Sequence, residues 1–92
     1  MPRLSDGEIE EGLSGLSGWG RDGDALSRQF ELADFKDSVD FVNRLTPAAE
    51  EMNHHPDLEI SWNKVTVRIT THSAGGLTEN DFELARKIGE LE

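Results

Sequence analysis

Leu58-Glu59-Ile60-Ser61-Trp62-Asn63-Lys64-Val65-Thr66-Val67-Arg68-Ile69-Thr70 decides the fold. Leu58, Ile60 and Trp62 alternate with Glu59 and Ser61, and Val65, Val67 and Ile69 alternate with Thr66, Arg68 and Thr70. A period of two puts successive side chains on opposite faces of a strand, so the stretch predicts a β-hairpin with one buried face. Asn63-Lys64 is the expected tight connection.

Upstream of the hairpin the period changes to that of a helix. Phe35, Val39, Val42, Thr46 and Ala49 form one stripe, and Phe41, Leu45, Ala48 and Met52 a neighbouring one. So wide an apolar surface suits a helix laid on a sheet. Asp34 and Asp37 open this helix at its positive end. Pro47 removes a backbone donor and crowds the carbonyl of Asn43, which predicts a kink there or a restart with Thr46 as cap. Pro56 pushes His55 out of the helical region, so the helix stops before it.

Further out, Ser5 with Glu8 has capping-box spacing and Leu4 with Ile9 staple spacing, which starts a first helix expected to end near Gly18. Leu26, Phe30 and Leu32 read as a strand, Asp22-Gly23 as a turn, and a further strand fits near Trp19. Gly75-Gly76 breaks the chain, and Thr78 with Asp81 and Leu77 with Phe82 start a last helix carrying Ala85 and Ile88 inward. The order predicts one α+β domain over residues 1–92, with helices on one face of an antiparallel sheet. No internal repeat, low-complexity tract or linker divides it.

Composition excludes several function classes. Nine Lys and Arg against nineteen Asp and Glu give a formal charge of −10. That field repels nucleic acid and anionic membranes. No apolar run approaches a membrane span, and no signal core follows Met1, so a cytoplasmic location is expected. With no cysteine to staple a small core, oligomerisation is the expected source of added stability.

The chemistry-bearing residues cluster. All three histidines fall between His54 and His72, two of them adjacent in Glu50-Glu51-Met52-Asn53-His54-His55-Pro56. Glu50 and His54, four apart, share a helical face, where a carboxylate fixes the imidazole tautomer. His72 falls at the end of the second hairpin strand, on the face of Arg68 and Thr70. An exposed helix end would account for His54-His55, strand-end exposure for His72, packing for Trp62 and capping for Asp81. Three histidines with a carboxylate also make a conceivable open zinc shell, although no His-x-His or His-x3-His spacing occurs.

The combined spacing narrows these options. Glu50-x3-His54-His55-Pro56, then Trp62, then His72 with nine residues between, then Asp81, resembles the signature of the pterin-4a-carbinolamine dehydratase family. Gly18-Trp19, Phe30, Phe35, Asn63-Lys64-Val65, Thr71-His72 and Gly75-Gly76-Leu77-Thr78 are similar to it as well, so the resemblance runs over residues 4–91. It implies a four-stranded antiparallel sheet with three helices packed on one face, assembled as a homodimer or homotetramer. It also implies dehydration of 4a-hydroxytetrahydrobiopterin in tetrahydrobiopterin recycling. His54, His55 and His72 match the family's catalytic histidines, and Glu50, Trp62 and Asp81 its substrate-binding positions. Asn53 replaces the usual acid before the histidine pair, and Pro47 is a second departure.

Dehydrating a carbinolamine is proton traffic: the hydroxyl leaves protonated while a ring nitrogen gives up its proton. Histidine is the side chain whose unperturbed pKa suits both steps near pH 7. His54 and His72 are the expected acid–base pair, with His55 positioning the ring. Neither metal nor cofactor is expected, because no electrons leave the substrate. The alternative is a binding role, since proteins of this fold also serve as a dimerisation cofactor or an assembly chaperone.

Overall fold

A computed structural model describes residues 2–92. Helix α1 spans Asp6–Ser14, strands β1 and β2 span Gly20–Asp22 and Ala25–Glu31, and helix α2 spans Phe35–Met52. Strands β3 and β4 then span Asp57–Ser61 and Lys64–Ile69. A single 3₁₀ turn, His72–Ala74, leads to helix α3, Glu79–Gly89. The four strands form one antiparallel sheet in the order β1-β2-β4-β3, and the three helices and four strands match the expected architecture.

Alternation sets the core. Leu26 and Phe30 of β2 and Val65, Val67 and Ile69 of β4 are buried on the helix side. Phe41, Leu45 and Ala49 of α2, with Leu84, Ala85 and Ile88 of α3 and Ile9 of α1, close over them. The strand expected near Trp19 is β1, joined to β2 through Gly23 at φ +59. Alternation on β3 does not bury its apolar face to the same degree. β3 is an edge strand, so Leu58 and Ile60 are flanked by β4 on one side only and stay 38% and 37% exposed.

Caps fix the helix ends. Ser5 Oγ accepts from Glu8 N (3.2 Å) and Glu8 Oε1 from Ser5 N (2.8 Å), as the capping-box spacing predicts. The Ser5 backbone bond, then its hydroxyl, holds the Glu8 carboxyl below its ordinary pKa. α1 stops at Ser14, short of Gly18, and the chain then turns through Gly18 at φ +86. α2 runs uninterrupted through Pro47, with no restart at Thr46. The Thr46 hydroxyl instead donates to Val42 O (2.8 Å), and Pro47 lies on the exposed side, where water can satisfy the Asn43 carbonyl.

The hairpin turn differs by one residue from the expected Asn63-Lys64. Ser61 pairs with Lys64, so the turn is Trp62-Asn63, with Trp62 at φ +52. Contacts from other elements set this register. Leu32 N donates to Asn63 O (2.7 Å), and Ser38 Oγ donates to Trp62 O (2.8 Å). Among the described residues, no helix is long and apolar enough to cross a membrane.

Candidate active site

The end of α2 determines where the histidine pair goes. Asn53 adopts the left-handed conformation at φ +49, its N–H donates to Glu50 O (3.1 Å), and His54 N donates to Ala49 O (3.0 Å). These two bonds make a Schellman closure. His54 therefore lies outside the helix, and the expected i,i+4 pairing with Glu50 does not form. Asn is one of the few non-glycine residues that tolerate this conformation, which gives Asn53 a structural role of its own.

His54 pairs with Asp81 instead, and Glu50 pairs with His55. His54 Nε2 is 2.6 Å from Asp81 Oδ1, and His55 Nε2 is 2.5 Å from Glu50 Oε2. An ionised carboxylate only accepts, so each Nε2 carries the proton of its bond. Each Nδ1 is then free for other chemistry. The pairs differ in setting. The His54 and Asp81 side chains are 13% and 0% exposed, those of His55 and Glu50 56% and 66%. Solvent screens the outer pair, whereas the inner one is held in a low-dielectric environment.

Asp81 is the centre of the inner site. Its Oδ2 accepts from Thr71 Oγ1 (2.8 Å) and from Thr78 N (2.7 Å), so the segment just past β4 and the start of α3 converge on one carboxylate. Among the described residues no buried side-chain nitrogen or oxygen lacks a partner. Asp81 thus caps α3 and holds His54 at once. Being fully buried, it does not offer the rim contact expected of a substrate-binding residue. The spacing of Thr78 and Asp81 announced the cap, but nothing local announced Thr71.

His72 opens the 3₁₀ turn directly after Thr71 and is exposed, so it lies just past β4, not on it. It lines a cavity of about 260 Å³ with Asp24, Arg68, Thr70, Gly75 and Gly76. That is the Arg68–Thr70 face expected from alternation. Neither His54 nor His55 forms part of that cavity's wall, so His72 is one residue from the Asp81 cluster without joining its hydrogen bonds. Trp62 stands apart. It lies at the other end of β3, about 20 Å of extended chain from Pro56, and is 66% exposed. Among the described residues, no three His, Cys, Asp or Glu side chains converge as a metal site would require.

Comparison with known proteins agrees with this architecture. The family model described as pterin 4 alpha carbinolamine dehydratase matches residues 2–91. A protein of Sulfurisphaera tokodaii named "Putative pterin-4-alpha-carbinolamine dehydratase" is 48% identical over 99% of this chain and 98% of its own. One of the same name from Thermosynechococcus vestitus is 52% identical over 97% and 94%. A Brucella melitensis crystal structure, described as a transcriptional coactivator/pterin dehydratase, superposes with a TM-score of 0.92 at 35% identity, covering 97% of both chains. A pterin dehydratase-like protein identified as a RuBisCO assembly factor in the alpha-carboxysome shares the fold, with a TM-score of 0.63 at 18% identity over 79% of this chain and 84% of its own. With a family model spanning nearly its full length and relatives near half identity, the chain belongs to the pterin-4a-carbinolamine dehydratase family.

Proposed function

We propose that this protein, as a single catalytic domain, dehydrates 4a-hydroxytetrahydrobiopterin to the quinonoid dihydropterin, in tetrahydrobiopterin recycling. The observation that carries the reading is the buried His54–Asp81 pair, 2.6 Å apart. His54 presents Nδ1 to the substrate. As it takes a proton from the pterin ring nitrogen, the imidazolium forms against a buried carboxylate already in place. The nitrogen lone pair closes a C=N bond, the C4a–O bond breaks, and the hydroxyl leaves as water with a proton from His72. One proton is accepted and one delivered, with no change of oxidation state. His55, oriented by Glu50, positions the pterin ring.

The test is a coupled assay of carbinolamine dehydration with wild type and His54→Ala. A loss of at least about 10²-fold is expected, the lower range for a well-placed proton transfer. Unchanged turnover by folded variant would remove His54 from the mechanism.

The double description of the Brucella relative favours a second, binding role as the alternative. A stable partner recovered by pull-down, together with no turnover, would support that role over catalysis. We also assign the exposed β3 edge, with Leu58, Ile60 and Trp62, to pairing with a second copy of the chain. The charge of −10 keeps nucleic acid and anionic membranes outside the set of partners, and a cytoplasmic location suits this role.

A further inference from the structure

We infer that Thr71 is a positioning residue for this site, setting His54 through Asp81 and His72 through the backbone. The inference rests on the dehydratase reading and adds a residue to it.

Three separate elements meet at the Asp81 carboxylate. His54, from the segment after α2, takes Oδ1, and Thr71, from the segment after β4, shares Oδ2 with Thr78 N at the start of α3. The Thr78 bond belongs to the α3 cap and forms wherever α3 forms. It fixes one oxygen but leaves the carboxylate free to rotate about its own side chain. The Thr71 hydroxyl, approaching from the segment after β4, supplies a second direction and so determines where Oδ1 points. Without it, Oδ1 still exists but is no longer held on His54 Nε2. Loss of a donor to a buried carboxylate also weakens the ionised form that a proton-bearing His54 requires.

Thr71 is itself held. Its N–H donates to Gly76 O and its carbonyl accepts from Gly76 N, both at 3.3 Å. Its hydroxyl also lies 3.1 Å from that of Thr78. These bonds close the His72–Ala74 turn, where Gly75 takes φ +74. The next residue along the chain is His72. One threonine thus lies next to both imidazoles assigned to proton transfer, reaching His54 through the Asp81 carboxylate and His72 through a peptide bond.

The test uses Thr71→Val, close in volume to threonine but without the hydroxyl, with Thr71→Ser as the rescue and Thr71→Ala as a second deletion. Thr78 N keeps the α3 cap in all three. Either deletion should lower kcat about tenfold, the low end expected for one hydrogen bond to a charged group, with KM within about twofold, and should move the pH profile of kcat. Thr71→Ser should restore both. A deletion variant that is folded by circular dichroism and keeps wild-type kcat and pH profile overturns the inference. A separate readout is independent of turnover. The His54 Nε2 proton, bonded to Asp81, should be visible by NMR in wild type and Thr71→Ser and lost to fast exchange in Thr71→Val. Wild type without dehydratase activity would remove the functional reading, and this resonance would still decide the role of Thr71. Its persistence in Thr71→Val would overturn that role.

Discussion

A carboxylate with no solvent contact is costly to ionise unless donors surround it. Asp81 has donors from three elements, and this explains why a fully buried acid survives in so small a core. Trp62 shows the opposite balance: an exposed aromatic in a backbone conformation that costs an L-residue roughly 1–2 kcal/mol. The Ser38 hydroxyl on its carbonyl and the Leu32–Asn63 bonds force the turn on it. Trp62→Gly should therefore stabilise the isolated chain by about 1 kcal/mol, since glycine accepts φ > 0 freely. That corresponds to a rise in Tm of about 4–8 °C for a domain of this size. Measured by thermal melts in an Ile60→Lys background, where strand pairing between copies is blocked, a fall in Tm would show that the turn carries no strain.

At the scale of elements, what the sequence revealed was what is local. The hairpin, the Ser5–Glu8 box and the Thr78–Asp81 start of α3 follow from periodicity and cap chemistry within a few residues. What could not be read depends on contacts between elements. The turn slipped one residue because Leu32 and Ser38 set it from outside the hairpin. Glu50 and His54 seemed paired because helical spacing was carried one residue too far, past the left-handed Asn53. Thr71 appeared only as part of the Thr71-His72 motif, and its role went unread because its partner lies ten residues away across a tertiary contact. The exposure of Leu58 and Ile60 was missed because alternation does not say which strand is the edge. Pro47 leads to a prediction on α2 itself. Proline inside a helix is about 3 kcal/mol less favourable than alanine, reduced by up to about 1 kcal/mol through the unfolded chain. Pro47→Ala restores the donor to the Asn43 carbonyl on an exposed face. It should raise stability by about 1–2 kcal/mol in urea unfolding and leave turnover unchanged. A lower midpoint would mean that the helix is shaped around the proline.

For the whole molecule the question is what covers β3. Among the described residues the exposed large apolar side chains are Phe35, Leu58, Ile60 and Trp62, all on this edge or at the adjoining start of α2. Beyond Phe35 the outward positions of α2, among them Lys36, Asn43, Arg44, Thr46 and Glu50, are polar apart from Pro47 and present no second apolar face. One apolar edge suits a two-fold dimer in which β3 pairs antiparallel with its copy. Charge selects the register. Centring on Glu59 would set that carboxylate against itself, and centring on Leu58 would set Asp57 against Glu59. Centring on Ile60 pairs Ile60 with Ile60, Leu58 with Trp62 and Glu59 with Ser61, and like charges directly opposite are avoided. Each copy carries −10, so association should strengthen as salt screens the repulsion. Sedimentation should find a dimer that tightens between about 0.01 and 0.5 M salt, and Ile60→Lys, which sets two ammonium groups face to face, should be monomeric and less stable. A tetramer, a wild-type monomer, or a lysine variant that still pairs would mean that a different surface joins the copies.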